Sequence, residues 1–133
     1  RNSIMGLLIN IVPGENITAP KLIYFDPIDG RAFKADESDT ANPATAIVLV
    51  DCIEDEPNQA WLDGVVDYSA GEFAAGTPLY LGTDGAIVTT PPANVQRVGA
   101  HIDTLQSVFS FQGFEVIPGI SNITAKKLSF LRV

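Results

Sequence analysis

The sequence predicts an all-β protein, a sandwich or barrel of about ten short strands with little helix. Three observations carry that expectation. Apolar and β-branched runs recur about every 8–12 residues with turn residues between them. Asp-Gly corners stand between extended segments at Asp29-Gly30 and Asp84-Gly85. Helical spacing is scarce, because Pro or Gly interrupts most windows with apolar residues at i, i+3, i+4 and i+7.

The elements follow in chain order. Residues 4–12 (IMGLLINIV) form an apolar run that stops at Pro13-Gly14. The stretch around it is too short, and too directly followed by more β pattern, to read as a signal peptide. Residues 21–25 (KLIYF) are aromatic and β-branched, and 31–35 (RAFKA) follow the first Asp-Gly corner. Residues 46–53 (AIVLVDCI) are the most hydrophobic segment and read as a central strand. Next come 61–68 (WLDGVVDY), 78–81 (PLYL), 86–90 (AIVTT), 95–103 (VQRVGAHID), 107–111 (SVFSF) and 127–133 (KLSFLRV). Gly82 is placed to add a bulge at the mouth of the second hairpin. Pro91-Pro92 must leave the ladder, since proline has no amide donor. Residues 36–44 (DESDTANPA) and 54–59 (EDEPNQ) are polar and read as exposed loops.

The pattern repeats. Residues 21–25 with Asp29-Gly30 resemble 77–81 with Asp84-Gly85, and a Pro-containing break and an apolar strand ending in Asp51 or Asp103 follow each. A spacing of about 55 residues falls in the range of structural repeats. A third echo runs from Pro118-Gly119 through Asn122, Ile123, Thr124 and Ala125 to residues 127–130 (KLSF). It matches Pro13-Gly14, then Asn16, Ile17, Thr18 and Ala19, then residues 21–24 (KLIY). A duplicated hairpin unit closing a pseudo-symmetric β structure accounts for these echoes.

At 133 residues the chain has the length of one domain. Residues 1–133 read as a single β domain, with 1–12 and 120–133 as candidate inter-subunit arms. The 46% hydrophobic and 18% charged content argues against disorder. A net charge of −8 opposes binding along a nucleic-acid backbone, which needs clustered Lys and Arg. No run approaches the roughly 20 apolar residues of a membrane-spanning helix. Charge is uneven: residues 26–72 hold twelve acids against Arg31 and Lys34, whereas 115–133 hold Lys126, Lys127 and Arg132 against Glu115. Such asymmetry suits a contact between one copy's tail and another's acidic face.

Candidate chemistry is thin. His101, the sole histidine, sits two residues before Asp103, with Ser107 and Ser110 close in sequence. Strand alternation puts it on a polar face, and no Gly-x-Ser-x-Gly elbow accompanies it. It reads as a surface or interface histidine, and no catalytic residue is assigned. Asp51, Glu54, Asp55 and Glu56 lack the spacing and the turn glycine of a calcium loop, so no metal ligand is assigned. Cys52, the only cysteine, reads as a buried inert thiol. Trp61 reads as a packing residue at a strand start, and Phe109, Phe111 and Phe114 as core rather than a subunit contact. No cofactor is implied, and the chain is expected not to be an enzyme.

Residues 75–103 (AGTPLYLGTDGAIVTTPPANVQRVGAHID) resemble small β-rich virion proteins of tailed bacteriophages, including capsid decoration (cement) proteins and head-fibre or tail-fibre modules. The resemblance rests on Gly76, Thr77, Pro78, Leu79, Tyr80, Leu81, Asp84, Gly85, Pro91, Pro92, Val95, Gln96, Val98 and Gly99, with Asp63, Gly64, Val65 and Val66 upstream. It covers about a third of the chain well. It implies a structural protein made in the host cytoplasm and placed on the capsid surface. A cement protein binding the major capsid protein across capsomers comes first. A head- or tail-fibre module touching host glycan or another virion protein comes second. A homotrimer is the implied state.

Overall fold

The computed structural model describes residues 6–69, 71 and 73–115. Among these residues the structure is all-β, with ten strands in two antiparallel sheets. The first sheet holds β1 (Leu8–Ile11), β2 (Lys21–Phe25), β3 (Ala32–Lys34), β4 (Ala46–Val48) and β5 (Asn58–Trp61). The second holds β6 (Gly64–Val66), β7 (Pro78–Leu81), β8 (Ile87–Val88), β9 (Arg97–His101) and β10 (Ser107–Phe109). One 3-10 turn, Thr83–Gly85, joins β7 to β8.

The two sheets share one topology. Their orders are β1-β5-β4-β2-β3 and β6-β10-β9-β7-β8. Numbered within each half, both read first, fifth, fourth, second, third. The duplicated unit legible in the sequence is therefore a five-strand sheet, and each half contributes one.

The first sheet curls toward closure. Pro13 bridges Ala32 in parallel. The Ala32 N–H donates to the Val12 carbonyl at 3.0 Å, and the Gly14 N–H to the Ala32 carbonyl at 2.8 Å. Ile11, Ile17, Ile23, Ala32, Ala46, Val48, Cys52 and Ala60 fill the inside of the curl. A second core lies between the sheets, built on Leu22, Ile47, Val66, Leu79, Leu81, Val98 and Phe109. Alternation along β2 and β4 thus sends Leu22 and Ile47 one way and Ile23, Ala46 and Val48 the other. Strands buried on both faces carry no polar alternation, which is why these two read as unbroken apolar runs. Each fully buried Leu, Ile or Phe contributes about 1.5–3 kcal/mol.

Several sequence expectations change. Residues 61–68 are not one strand. Trp61 ends β5, and the chain turns at Leu62 and Asp63 into β6, with Gly64 at φ 127°. The strand expected over 46–53 ends at Val48, although β4 is central as expected, between β5 and β2. The polar residues Asn58 and Gln59, read as loop, form the first half of β5. Backbone pairing with Ile11 and Asn10 of β1 decides their state over local composition. The bulge falls between Leu79 and Tyr80 and their β9 partners Gly99 and Arg97, not at Gly82. Residues 1–5 and the expected strand at 127–133 lie outside the described residues.

Loop 36–44 is also not simply exposed. It belongs to the first half but grips the second. The Glu37 N–H donates to the Gly82 carbonyl at 3.1 Å, and the Asp84 N–H donates to the Asp36 carboxylate at 2.8 Å. The Asn94 N–H donates to the Glu37 carboxylate at 3.0 Å. Ala44, at its end, is buried in the inter-sheet core.

Candidate functional site

His101 is buried, at 2% exposure, as the last residue of β9. The expectation of a surface histidine fails because it pairs with Ser107 on the inward face of β10. Phe73 meets its ring edge-on, with centroids 6.2 Å apart. Its Nδ1 is buried and has no hydrogen-bond partner among the described residues. The neighbouring polar groups are already committed. The Ser107 hydroxyl donates to the Tyr68 carbonyl at 2.8 Å. The Asp103 carboxylate accepts from the N–H groups of Leu105 and Gln106 at 2.8 and 3.0 Å, shaping the β9–β10 turn. Ser110 is exposed and bonds through its backbone N–H to Val98.

The acids act as caps for loop amides. The Asp51 carboxylate accepts from the Ala19 N–H at 2.8 Å. Glu15 accepts from Lys34, and Asp63 from Phe111. Asp26 and Asp29 accept from Ile28 and Arg31 within the β2–β3 turn. Asp55 adopts φ 67° and pairs with Arg31. Hydrogen bonds from the Ser38 hydroxyl, the Asp84 N–H and the Ser38 N–H hold the Asp36 carboxyl below its ordinary value of 3.8. Among the described residues no group of three His, Cys, Asp or Glu side chains could hold a metal ion.

Cys52 is buried beside the Val50 carbonyl, at 3.4 Å. Burial, and then the Asp51 charge, push its thiol up from 9.0. Phe109 lies in the inter-sheet core, stacked on Phe111 at 5.7 Å, and Phe111 and Phe114 pack against the same core. Trp61 packs there too, half-buried. The residue that sequence reasoning passed over is Gln96. It is fully buried, and its amide donates to the Ala44 and Gln112 carbonyls at 2.8 and 2.7 Å while accepting from the Ala44 N–H at 2.9 Å. Its only sequence signal was a place in the resemblance pattern.

What remains is surface. A cleft of about 660 Å³ opens between β1 and the β2–β3 hairpin, lined by Ile9, Asn10, Val12, Phe25, Arg31 and Pro57 among others. A second groove of about 480 Å³ runs beside β8, with Phe73, Ile87, Val88 and Pro92 in its walls. Several large apolar side chains stand exposed, among them Leu7 at 63%, Leu8, Val12, and Ile28 at 93% in the β2–β3 turn.

No protein-family model matches the chain, and no curated protein matches it in sequence. Among solved structures, it is similar to the head fibre gp8.5 N base of bacteriophage phi29, with a TM-score of 0.52 and 17% identity. The similarity covers 84% of this chain and 100% of that one. At that identity the likeness is one of fold alone: the chain's fold resembles that of this phage head-fibre protein.

Proposed function

We propose that this chain is a non-enzymatic structural module of a bacteriophage virion, the base on which a head fibre stands. It binds the major capsid protein at the capsid surface and self-associates as a homotrimer, with no nucleic-acid or membrane partner. The observation that carries this reading is the fold match to the phi29 head-fibre base over that chain's whole length. The match favours the head-fibre reading over the cement reading that the sequence resemblance put first. The engaged hydroxyl of Ser107 and the burial of His101 support a structural role over a hydrolytic one. Several weak contacts, one set per copy, add to firm attachment once copies are linked.

The test is co-sedimentation of the purified protein with expanded capsids carrying no fibre. Saturable, stoichiometric binding is expected. Protein that stays wholly in the supernatant at micromolar concentration defeats the proposal.

A further inference from the structure

We propose that the groove at the end of β2 receives an arginine side chain carried by a protein partner. The inference goes beyond the virion reading and stands whether or not that partner is a capsid protein.

Two segments build the groove. The end of β2 and the turn after it supply Tyr24, Phe25 and Pro27, and the loop 36–44 supplies Asn42 and Pro43, with Thr45 just beyond. The groove has a volume of about 270 Å³. Free small molecules ordinarily take pockets of about 300–1,000 Å³, so this one fits a single side chain better than a whole ligand. The Tyr24 ring is steadied by Phe33, stacked on it with centroids 6.0 Å apart. The loop is fastened at both ends. Asp36 and Glu37 tie its start to Asp84, Gly82 and Asn94. Gln96 clasps Ala44 at its end. The stretch that carries Asn42 and Pro43 therefore meets a partner already shaped, and little ordering entropy is lost on binding.

Charge names the occupant. Asp26 stands in sequence between two of the lining residues, Phe25 and Pro27. The Asp39 carboxylate accepts from the side-chain amide of Asn42, a third lining residue, at 3.0 Å. That bond uses one Asp39 oxygen, and the Ile28 N–H uses one oxygen of Asp26. Burial, and then the charges of Asp39, Asp26 and Glu15, push the Tyr24 phenol up from 10.0, so all three carboxylates act on the aromatic wall. Among the described residues the one ion pair is Arg31 with Asp55, and none of these three acids is matched by a base. Lys34 pairs across the ladder with Ile23, which sends its side chain to the sheet face opposite Tyr24. An aromatic wall beside unmatched carboxylates suits a guanidinium, which stacks flat on a ring and forks to carboxylate oxygens. A lysine ammonium matches the charge but not the flat wall. The repeat supplies a contrast. Tyr80 takes the place of Tyr24 in the second half, but Gly82 follows its strand where Asp26 follows β2.

The experiment titrates the isotope-labelled full chain with acetyl-arginine-amide and follows its backbone amide signals by NMR. Acetyl-citrulline-amide, the neutral isostere, and a methyl galactoside are run beside it. Saturable shifts are expected at Tyr24, Phe25, Asn42 and Thr45 with arginine, and none there with citrulline or galactoside. Asp26→Asn combined with Asp39→Asn keeps an acceptor oxygen for Ile28 and for Asn42, and should weaken arginine binding at least about fivefold. The spectrum of the double variant checks its fold, and the comparison of arginine with citrulline on the unaltered chain stands without it. Absence of saturable shifts, shifts spread evenly over the other acidic loops, an equal response to citrulline, or full affinity in the folded double variant overturns the inference. A galactoside that moves these amides while arginine does not would make the groove a sugar site and overturns it too.

Discussion

Gln96 grips Ala44 by both ends of one amide, its Nε2 2.8 Å from the Ala44 carbonyl and its Oε1 2.9 Å from the Ala44 N–H. The pair lies in the core and ties a loop of the first half to the second. Leucine at 96 has similar bulk but strands the Ala44 amide and carbonyl and the Gln112 carbonyl. Gln96→Leu is expected to cost about 2–4 kcal/mol. A lowered urea midpoint with an unchanged slope would show it, and an unaltered midpoint would refute it.

Gly85 has φ 77°, and a Cβ there would lie 2.7 Å from the Leu22 carbonyl. The second hairpin's turn is thus pressed onto β2 of the other sheet. Gly85→Ala combines left-handed strain with a backbone clash and should cost about 2–4 kcal/mol. Gly30, also at positive φ, meets no atom within 4 Å. Gly30→Ala should cost only about 1 kcal/mol. Equal losses in thermal melts of the two variants would contradict the close approach.

Asp36 supplies the pH dependence. Its carboxyl titrates below 3.8 in the folded protein, so the stability it contributes is present above that value. It is lost as pH falls through the lowered value. Asp36→Asn should lower stability at neutral pH and flatten the slope of unfolding free energy against pH below about 4. Chemical denaturation at several acid pH values measures the slope, and parallel curves for the two proteins would exclude the assignment.

The Cys52 thiol is shielded and its pKa is raised. At pH 8 it should react with an aromatic disulfide reagent at least about a hundredfold more slowly in the folded protein than in urea. Comparable rates would mean that the curled sheet opens readily at Ile17–Cys52.

His101→Leu removes a buried nitrogen that has no partner among the described residues. Exchanging an unsatisfied polar group for an apolar one should change stability by less than about 1 kcal/mol. Capsid binding should be unchanged. A severe loss of binding with the fold intact would place His101 in a functional site.

The sequence displayed this fold wherever a strand was marked by its own residues. Lys21–Phe25 and Pro78–Leu81 announced themselves, and each Asp-Gly pair marked a real corner. The repeat was legible for the same reason. The start of β5 was hidden because Asn58 and Gln59 carry no β preference and are held in the strand by pairing with Ile11 and Asn10 of β1. His101 was misplaced because alternation alone cannot say which face of a strand another sheet will cover. Gln96 was invisible as a tie because its partners, Ala44 and Gln112, are backbone groups 52 and 16 residues away.

Each sheet is one continuous half of the chain, and the covalent passage between them is the short stretch at Leu62 and Asp63. Leu22 and Ile47 on one side meet Leu79, Leu81, Val98 and Phe109 on the other, so this core has the composition of a subunit contact. Either half alone would bare that oily side to water, and its nearest available cover is its own twin. A lone half would therefore be driven to pair with a second molecule of itself, and the tether at Leu62 makes that pairing permanent within one polypeptide.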